Sequence, residues 1–346
     1  MAAPSALYAP LDLRGCSVLI TGATAGIGRA TAWRYAELGC KLAICGRRGE
    51  MLEELKKQLL EKFPELPPPI TVVLDVQDCE KIAKLPAQLK EAGMPDVDIL
   101  VNNAGLALGV ASAIENELEN IQTMLATNVQ AVMFLVATFG PKMKDRGQGH
   151  IVNISSVAGH EAYVGGSAYC ATKHAVNAFT IATRHDLAGT PIRVTAISPG
   201  MVETDFSKVR FKGDESKAAK VYENILPLLA EDVADQIIFA TTRPRHVQIA
   251  DIISYATNQG HAKYVIERKG ESMGAPGAGY VGSCLGRQPT QDDLPLSSSC
   301  TTPYVSWSTL ASVPAHADRK AQKLGERNAA VQVIIAAQRF IFTAVA

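Results

Sequence analysis

The feature that most constrains the fold is an alternation of short apolar runs with longer helical patterns, which extends from residue 14 to about residue 262. Strands of roughly four to eight residues that alternate with helices are typical of βαβ units, and so of a parallel sheet. Both faces of such a sheet are covered, so its strands are continuous Val, Ile and Leu runs. The sequence therefore predicts an α/β fold with a doubly wound parallel sheet. Predicted strands lie at 16–20, 41–45, 70–74, 98–101, 150–154, 192–197 and near 247–255, with helices at 26–38, 50–63, 117–139 and 168–187.

A glycine-rich loop follows the first predicted strand, in the sequence T-G-A-T-A-G-I-G at 21–28. Gly22, Gly26 and Gly28 lie where a strand turns into a helix, and glycine allows both a tight turn and the close approach of a pyrophosphate. The helix N-terminus then offers free N–H groups and the positive end of its dipole. Glycines also occur in ordinary tight turns, but the position directly after the first strand favours a dinucleotide site, which would include Ile27.

The end of the second predicted strand discriminates between the two nicotinamide dinucleotides. An enzyme that uses NAD often has Asp or Glu there to bind the ribose 2′-hydroxyl. This chain has Arg47 and Arg48 instead, and no carboxylate. Arginine can pair with a 2′-phosphate through charge-assisted hydrogen bonds, and the Thr24 hydroxyl could reach the same phosphate. The pattern predicts NADP, with a solvated arginine pair in a loop as the alternative.

Further strand ends supply candidate cofactor contacts. Asp75 is placed to accept a hydrogen bond from the adenine amino group, although it could also cap the next helix. Asn102 begins N-N-A-G at 102–105, where small residues would let the chain pass close to the adenosine ribose. The predicted turn beside the nicotinamide and its carboxamide contains Pro199, Gly200, Val202 and Thr204.

Tyr169 and Lys173 are the candidate catalytic pair, because residues four apart on a helix share a face. A nearby lysine cation should lower the pKa of the tyrosine, which makes Tyr169 the general acid/base candidate. Ser156, or less favourably Ser155, could donate to the substrate oxygen. Asn128 is polar within an apolar helical stretch, so its amide should satisfy a buried backbone group, and it could also hold a relay water.

In this order the motifs resemble the short-chain dehydrogenase/reductase family: the glycine loop, N-N-A-G, Asn128, Ser156, Tyr169-x-x-x-Lys173 and Pro199-Gly200. The match covers residues 14 to about 262 of 346. The resemblance implies a Rossmann-type fold, a homotetramer or dimer, and a catalytic tetrad. That tetrad would consist of Asn128, Ser156, Tyr169 and Lys173.

Two shorter stretches, N-N-A-G-L-A-L-G at 102–109 and V-R-F-K-G-D at 209–214, are similar to the NADP-dependent 3-hydroxy acid dehydrogenases. That similarity implies oxidation of the 3-hydroxyl of a small acid of the serine, L-allo-threonine or 3-hydroxypropionate type, or reduction of the corresponding semialdehyde. Such a substrate needs a cation, for which Arg210 and Lys212 are the candidates, and Tyr163 could form a wall of the pocket. A solvated lid with unrelated charges is the alternative.

Two other functions stay open at this point. A general NADPH-dependent carbonyl reductase of ketones, sugars or quinones would share the tetrad but would not need a carboxylate-binding cation. A non-catalytic NADP-binding regulator would typically lack the tyrosine or the lysine, and this sequence has both.

The remaining expectations concern organisation and partners. Residues 1–13 are interpreted as an N-terminal arm, 14–265 as the dinucleotide-binding domain, and 266–346 as a disordered tail that ends in a short docking helix. In 271–310, 20 of 40 residues are Gly, Ser, Thr or Pro.

The balance of 34 basic and 34 acidic residues argues against a nucleic-acid or membrane partner. No signal peptide, C-x-x-C pair or clustered metal ligands are visible, so a cytoplasmic, metal-free protein with reduced cysteines is expected, and His160 and His174 are interpreted as structural.

Overall fold

Seven parallel strands form one sheet in the order β3-β2-β1-β4-β5-β6-β7. They belong to a computed structural model that describes residues 10–223 and 225–266. Each predicted strand is present, and the seventh is shorter than predicted. The strands are β1 Ser17–Thr21, β2 Lys41–Gly46, β3 Ile70–Val73, β4 Ile99–Asn102, β5 Gly149–Ile154, β6 Ile192–Pro199 and β7 Asp251–Ser254, and a small antiparallel pair follows, β8 Gln259–His261 and β9 Tyr264–Val265.

Helices cover both faces of the sheet, which confirms the predicted doubly wound α/β class. On one face Tyr35 and Thr241 of two packed helices join through a 3.1 Å hydrogen bond between their hydroxyls. On the other face Leu85 and Phe139 belong to one apolar cluster. The helices are α1 Gly26–Glu37, α2 Gly49–Lys62, α3 Cys79–Glu91, α4 Leu118–Leu125, α5 Ala131–Arg146, α6 Ser167–Asp186, α7 Phe206–Arg210, α8 Glu215–Lys220 and α9 Ala230–Thr241.

The order in which strands are added to the sheet reverses at β1, which pairs with β2 on one side and with β4 on the other. In open α/β sheets, ligands bind at such a switch point, outside the carboxyl ends of the strands. The order of the strands therefore places the glycine loop after β1 and the sequence that follows β4 on opposite sides of one crevice.

Four helices, α3, α7, α8 and α9, were not predicted from the sequence. Helix α3 contains Pro86, a residue that normally interrupts a helix interior. It nevertheless forms because Asp78 caps its first turn, accepting from Lys81 N at 3.0 Å, and because Ile82, Leu85 and Leu89 bury one apolar stripe. The stripe is visible in the sequence, and tertiary burial outweighs the local cost of the proline.

The long predicted helix over 117–139 is divided into α4, one π-helical turn at Ala126–Gln130, and α5. Among the described residues, Leu118–Arg146 is the one helical run long and apolar enough to cross a membrane, and half of its most apolar window is buried inside the protein. Buried core helices pass the same test, so this run is not an argument for a membrane span.

The ends of the predicted domain differ from the sequence interpretation. Leu11, assigned to the N-terminal arm, donates its N–H to Thr242 O at 2.8 Å, and Leu13 is buried in the core. Residues 1–9 and the predicted tail beyond Ile266 lie outside the described residues. Among those that are described, no group of three or more His, Cys, Asp or Glu side chains could hold a metal ion.

Gly28 fixes how closely α1 packs against the loop after β1. A Cβ there would lie 2.4 Å from both Gly22 O and Asn103 Nδ2, which is closer than any atom can approach. We expect Gly28→Ala to lower the free energy of unfolding by about 1–3 kcal/mol, because the loop must shift to make room. Urea unfolding of nucleotide-free protein measures the change.

The control for this measurement is Gly140→Ala in α5, where a Cβ would meet only Val136 Cγ1 at 4.0 Å. That substitution should change the free energy of unfolding by less than about 1 kcal/mol. Equal effects of the two substitutions would contradict the packing argument for Gly28.

Candidate active site

A cavity of about 380 Å³ lies at the carboxyl ends of the strands and collects most of the predicted site residues. They come from segments far apart in the sequence, because parallel strands deliver their carboxyl ends to one edge of the sheet. The predicted residues on its lining are Gly22, Thr24, Gly26, Ile27, Arg47, Arg48, Asp75, Ser155, Ser156, Tyr169, Lys173, Pro199, Gly200, Val202 and Thr204.

The glycine loop has the backbone that its sequence predicts. Gly22 and Gly26 have φ values of 65° and 51°, in the left-handed region that other residues rarely adopt. Gly28 does not line the cavity, and its contact with the cofactor stays a prediction. Its role is the close packing of α1, which holds the other two glycines in place.

The end of β2 presents two exposed arginines to the cavity. Arg48 Nη2 donates to Thr24 Oγ1 at 2.7 Å, and Arg47 Nη1 lies 4.0 Å from Asp75 Oδ2. Asp75 also accepts from Gln77 N at 3.0 Å, which makes a turn, whereas the cap of α3 is Asp78. Asp75 is therefore not the helix cap that the sequence left open.

Asn102 and Asn103 have different environments. Asn102 is buried and does not line the cavity, and its Nδ2 donates to Asn153 Oδ1 at 2.8 Å, while its contact with the cofactor stays a prediction. Asn103 lines the cavity and ties the loop after β4 to the glycine loop, donating to Thr21 O at 2.8 Å and Gly22 O at 3.1 Å. Sequence reasoning missed Asn103 because it did not resolve which of two adjacent asparagines ends the strand.

The π-helical turn positions the buried Asn128 amide. Asn128 Nδ2 donates to Leu106 O at 2.8 Å and to Thr172 Oγ1 at 3.1 Å, and Oδ1 accepts from Leu106 N at 2.8 Å. Thr172 in turn donates to Tyr169 O at 2.7 Å. The amide therefore satisfies backbone groups as predicted, while the relay water stays a prediction. A Cβ on Gly105 would lie 3.4 Å from Asn128 Oδ1 and 3.7 Å from Lys173 Nζ, so this glycine borders both side chains.

Lys173 is buried, and its Nζ donates to Ile154 O at 2.8 Å. Burial lowers the pKa of Lys173 to about 8, because the ammonium form loses its hydration. Its Nζ lies 5.8 Å from the centroid of the Tyr169 ring. The two side chains thus share one face of α6, as predicted.

Burial raises the pKa of Tyr169 above its ordinary value, and the neighbouring Tyr163 adds to this. The groups that lower the pKa are the Ser156 hydroxyl and the Arg210 guanidinium. Desolvation is the largest influence on the pKa of Tyr169, and Arg210 is a cation that lowers it, while the lowering of this pKa by Lys173 stays a prediction. Ser156 Oγ accepts from Ala158 N at 3.1 Å, which fixes it beside the tyrosine.

Arg210 and Lys212, the two candidate partners for a substrate carboxylate, have different environments in the loop over the site. Arg210, at the end of α7, donates from Nη1 to Tyr163 OH and from Nε to Gly109 O, each at 3.3 Å. Its guanidinium carbon lies 5.7 Å from the Tyr163 centroid and 5.9 Å from that of Tyr169. Lys212 instead forms a 2.8 Å ion pair with Glu117 on the surface, so it is not available to a substrate.

Two side chains that sequence reasoning did not single out complete the site. Phe206 lines the cavity, and its ring meets that of Tyr169 edge to face at 5.7 Å between centroids. Val209 lines the cavity one residue before Arg210. Both belong to α7, whose five residues are too few for a periodic signal. The two histidines are structural, as His160 Nε2 lies 3.0 Å from Asp251 Oδ2 and His174 Nδ1 lies 2.9 Å from Cys170 O.

Residues 17–215 match the short chain dehydrogenase family. The chain belongs to this family. It is 42% identical over 258 residues to an NADP-dependent 3-hydroxy acid dehydrogenase of Schizosaccharomyces pombe, which covers 74% of this chain and 98% of the relative. It is 39% identical over 253 residues to a serine 3-dehydrogenase of Rhizobium radiobacter, which covers 73% of this chain and 98% of that protein.

A solved structure of the closed form of serine dehydrogenase complexed with NADP⁺ resembles the chain with a TM-score of 0.68 and 41% identity. The comparison covers 73% of this chain and all of that one (100%). The short-chain dehydrogenase described above is therefore an oxidoreductase with a Rossmann-type fold.

The buried ammonium of Lys173 should make the stability of this dehydrogenase depend on pH. Because its pKa is depressed from 10.5 to about 8, the unfolded chain binds more protons between these values, and stability rises as pH increases through this window. The free energy of unfolding of the native sequence, relative to Lys173→Met, should therefore increase by about 3 kcal/mol from pH 8 to pH 10.5. Denaturant titrations of the nucleotide-free proteins measure it, and a difference that stays flat would contradict a buried ammonium.

Proposed function

We propose that this chain catalyses NADP-dependent oxidation of the 3-hydroxyl of small 3-hydroxy acids, or reduction of the corresponding semialdehydes. The observation that carries the proposal is the environment of the Arg210 guanidinium. It lies within 6 Å of the Tyr169 ring centroid, its Nη2 is buried without a hydrogen-bond partner, and within the described ranges it forms no ion pair. A substrate carboxylate would fill that position and would bring a hydroxyl two carbons away towards Tyr169. The names of the relatives from Schizosaccharomyces pombe and Rhizobium radiobacter support the same substrate class.

The residues at the switch point fit NADP. Gly22 and Gly26 leave the backbone open to a pyrophosphate at the N-terminus of α1. Arg47 and Arg48 stand where an NAD enzyme would need a carboxylate, and Thr24 completes a cradle for a 2′-phosphate. When bound, NADP supplies the acceptor of the hydride that leaves the substrate carbon, or the donor in the reverse direction.

The chain's own residues handle the accompanying proton. Tyr169 exchanges it with the substrate oxygen, and Ser156 orients that oxygen. Burial favours the neutral phenol, which suits proton donation to a carbonyl in the reductive direction. The oxidative direction needs the phenolate, and two cations favour it: Arg210 beside the ring and Lys173 on the same helix face. Asn128 positions this helix through Thr172.

A general carbonyl reductase of ketones, sugars or quinones remains the second candidate, because Phe206 and Val209 give the pocket an apolar wall. A non-catalytic regulator is disfavoured, because Tyr169 and Lys173 both face the cavity.

The homotetramer and the cytoplasmic location stay predictions. Apolar side chains exposed on α4, α5 and α6 offer surface for association, among them Leu125, Met133, Phe134 and Ile181.

Arg48 should decide which nucleotide is used. We expect Arg48→Ala to raise the KM for NADP about tenfold or more and to leave the KM for NAD nearly unchanged, because only NADP carries the phosphate that the guanidinium pairs with. Initial rates at 340 nm with both cofactors measure this. Arg34→Ala, which removes an arginine paired with Asp235 away from the cavity, is the control. Equal losses with NADP and NAD would assign Arg48 a structural role only.

Arg210 should separate acids from neutral substrates. NADPH formation with 3-hydroxypropionate, 3-hydroxyisobutyrate and L-serine is expected, and Arg210→Met should lower kcat/KM for these acids by about 10- to 100-fold. Neutral secondary alcohols should lose much less, because they offer the guanidinium no charge. Lys212→Met removes the neighbouring cation that pairs with Glu117 and should leave the acids unaffected. Turnover of neutral alcohols alone would move the function to a general carbonyl reductase.

A further inference from the structure

A second cation, Lys263, lies beside the same tyrosine that Arg210 contacts. It occupies the turn between β8 and β9, and its Nζ is 5.5 Å from the centroid of the Tyr163 ring. Arg210 stands between the two aromatic rings, within 6 Å of both centroids. The side chains therefore form a row of successive contacts that starts at Tyr169 and continues through Arg210 and Tyr163 to Lys263.

Neither cation has a carboxylate partner in the described part of the chain. The ion pairs found there include Lys208 and Lys212 nearby, but neither Arg210 nor Lys263. Partial burial lowers the pKa of Lys263, and the positive charge of Arg210 lowers it further because the two positive charges repel each other. Two neighbouring cations without a counter-charge form a site whose energy falls when an anion binds.

The position of Lys263 is built into the fold through Glu161. One Glu161 oxygen accepts from the N–H of Ala262, the residue before Lys263, at 2.8 Å, and lies 3.2 Å from His261 Nε2. The other accepts from Tyr255 OH at 2.8 Å. Because Glu161 lies two residues before Tyr163, these bonds hold the turn against the loop that carries the pocket tyrosine. They also occupy the carboxylate of Glu161, so it is not free to neutralise Lys263.

We propose that Lys263 is a specificity-determining residue that selects 3-hydroxy acids with a second carboxylate, carried on a branch beside the first. Arg210 would hold the carboxylate nearer the reacting hydroxyl, and Lys263 would hold the outer one. The inference rests on the proposed function and deepens it, since it names a dicarboxylate as the preferred substrate class. Lys263 is exposed beside Tyr163, so its ammonium can meet a substrate group that extends beyond the pocket.

The test uses two primary alcohols that differ by this second carboxylate. One is 3-hydroxyisobutyrate, and the other is 2-(hydroxymethyl)succinate, in which a carboxymethyl group replaces the methyl. The native enzyme should oxidise the diacid with the higher kcat/KM. Lys263→Met should lower kcat/KM for the diacid about tenfold and that for the monoacid by less than about threefold, while Lys263→Arg retains the preference. Lys212→Met, which removes a paired cation from the neighbouring loop, should leave the ratio between the two acids unchanged.

Equal losses for both acids in Lys263→Met, or no oxidation of the diacid by the native enzyme, would overturn the inference. Failure of the proposed function has a different signature, because then neither acid is oxidised and only neutral alcohols are. In that case methylsuccinate and isobutyrate are compared as inhibitors of the neutral reaction. Stronger inhibition by methylsuccinate that disappears in Lys263→Met would support the dicarboxylate site, and equal inhibition would overturn it.

Discussion

The geometry of the candidate active site depends on one buried side-chain amide, that of Asn128. Its three hydrogen bonds join the loop after β4, through both backbone groups of Leu106, to helix α6, through Thr172. Asn128 lies in the π-helical turn at Ala126–Gln130, which departs from regular α-helical geometry. A buried amide left without partners costs about 1–3 kcal/mol per group, so these hydrogen bonds stabilise the irregular turn.

Burial shifts the pKa values of the two titrating groups of the site in opposite directions. The phenol of Tyr169 becomes harder to ionise, and the ammonium of Lys173 becomes easier to neutralise, with a pKa of about 8. Each shift opposes charge inside the domain, although a pKa of about 8 still leaves Lys173 mainly protonated at neutral pH. The positive charge of Arg210 lowers the pKa of Tyr169. If a substrate carboxylate binds Arg210 as proposed, its charge would oppose that effect, so substrate charge and the protonation of Tyr169 would be linked through one guanidinium.

The sheet and most of the nucleotide site could be predicted from the sequence because their physics is local. A strand followed by glycines and a helix is a local pattern that favours a phosphate site, and Arg47 and Arg48 directly follow β2 in the sequence. The distinction between Asn102 and Asn103 depends on where β4 ends by a single residue, which an apolar run does not resolve. The contact between Lys263 and Tyr163 joins residues about a hundred positions apart, and no periodicity predicts such a pair.

The parts of the site differ in how firmly the fold specifies them. Tyr169 and Lys173 lie on a helix packed against the sheet, and their environment follows from the core. Arg210, Tyr163 and Lys263 lie on a five-residue helix, a loop and a two-stranded turn, joined by a few hydrogen bonds such as that from Ala262 to Glu161. Substitutions there disturb little of the hydrophobic core, so they can change which acid is bound without changing the reaction. The order of charges outside Tyr169 is therefore the part of the proposed site in which the substrate preference can change while the reaction stays the same.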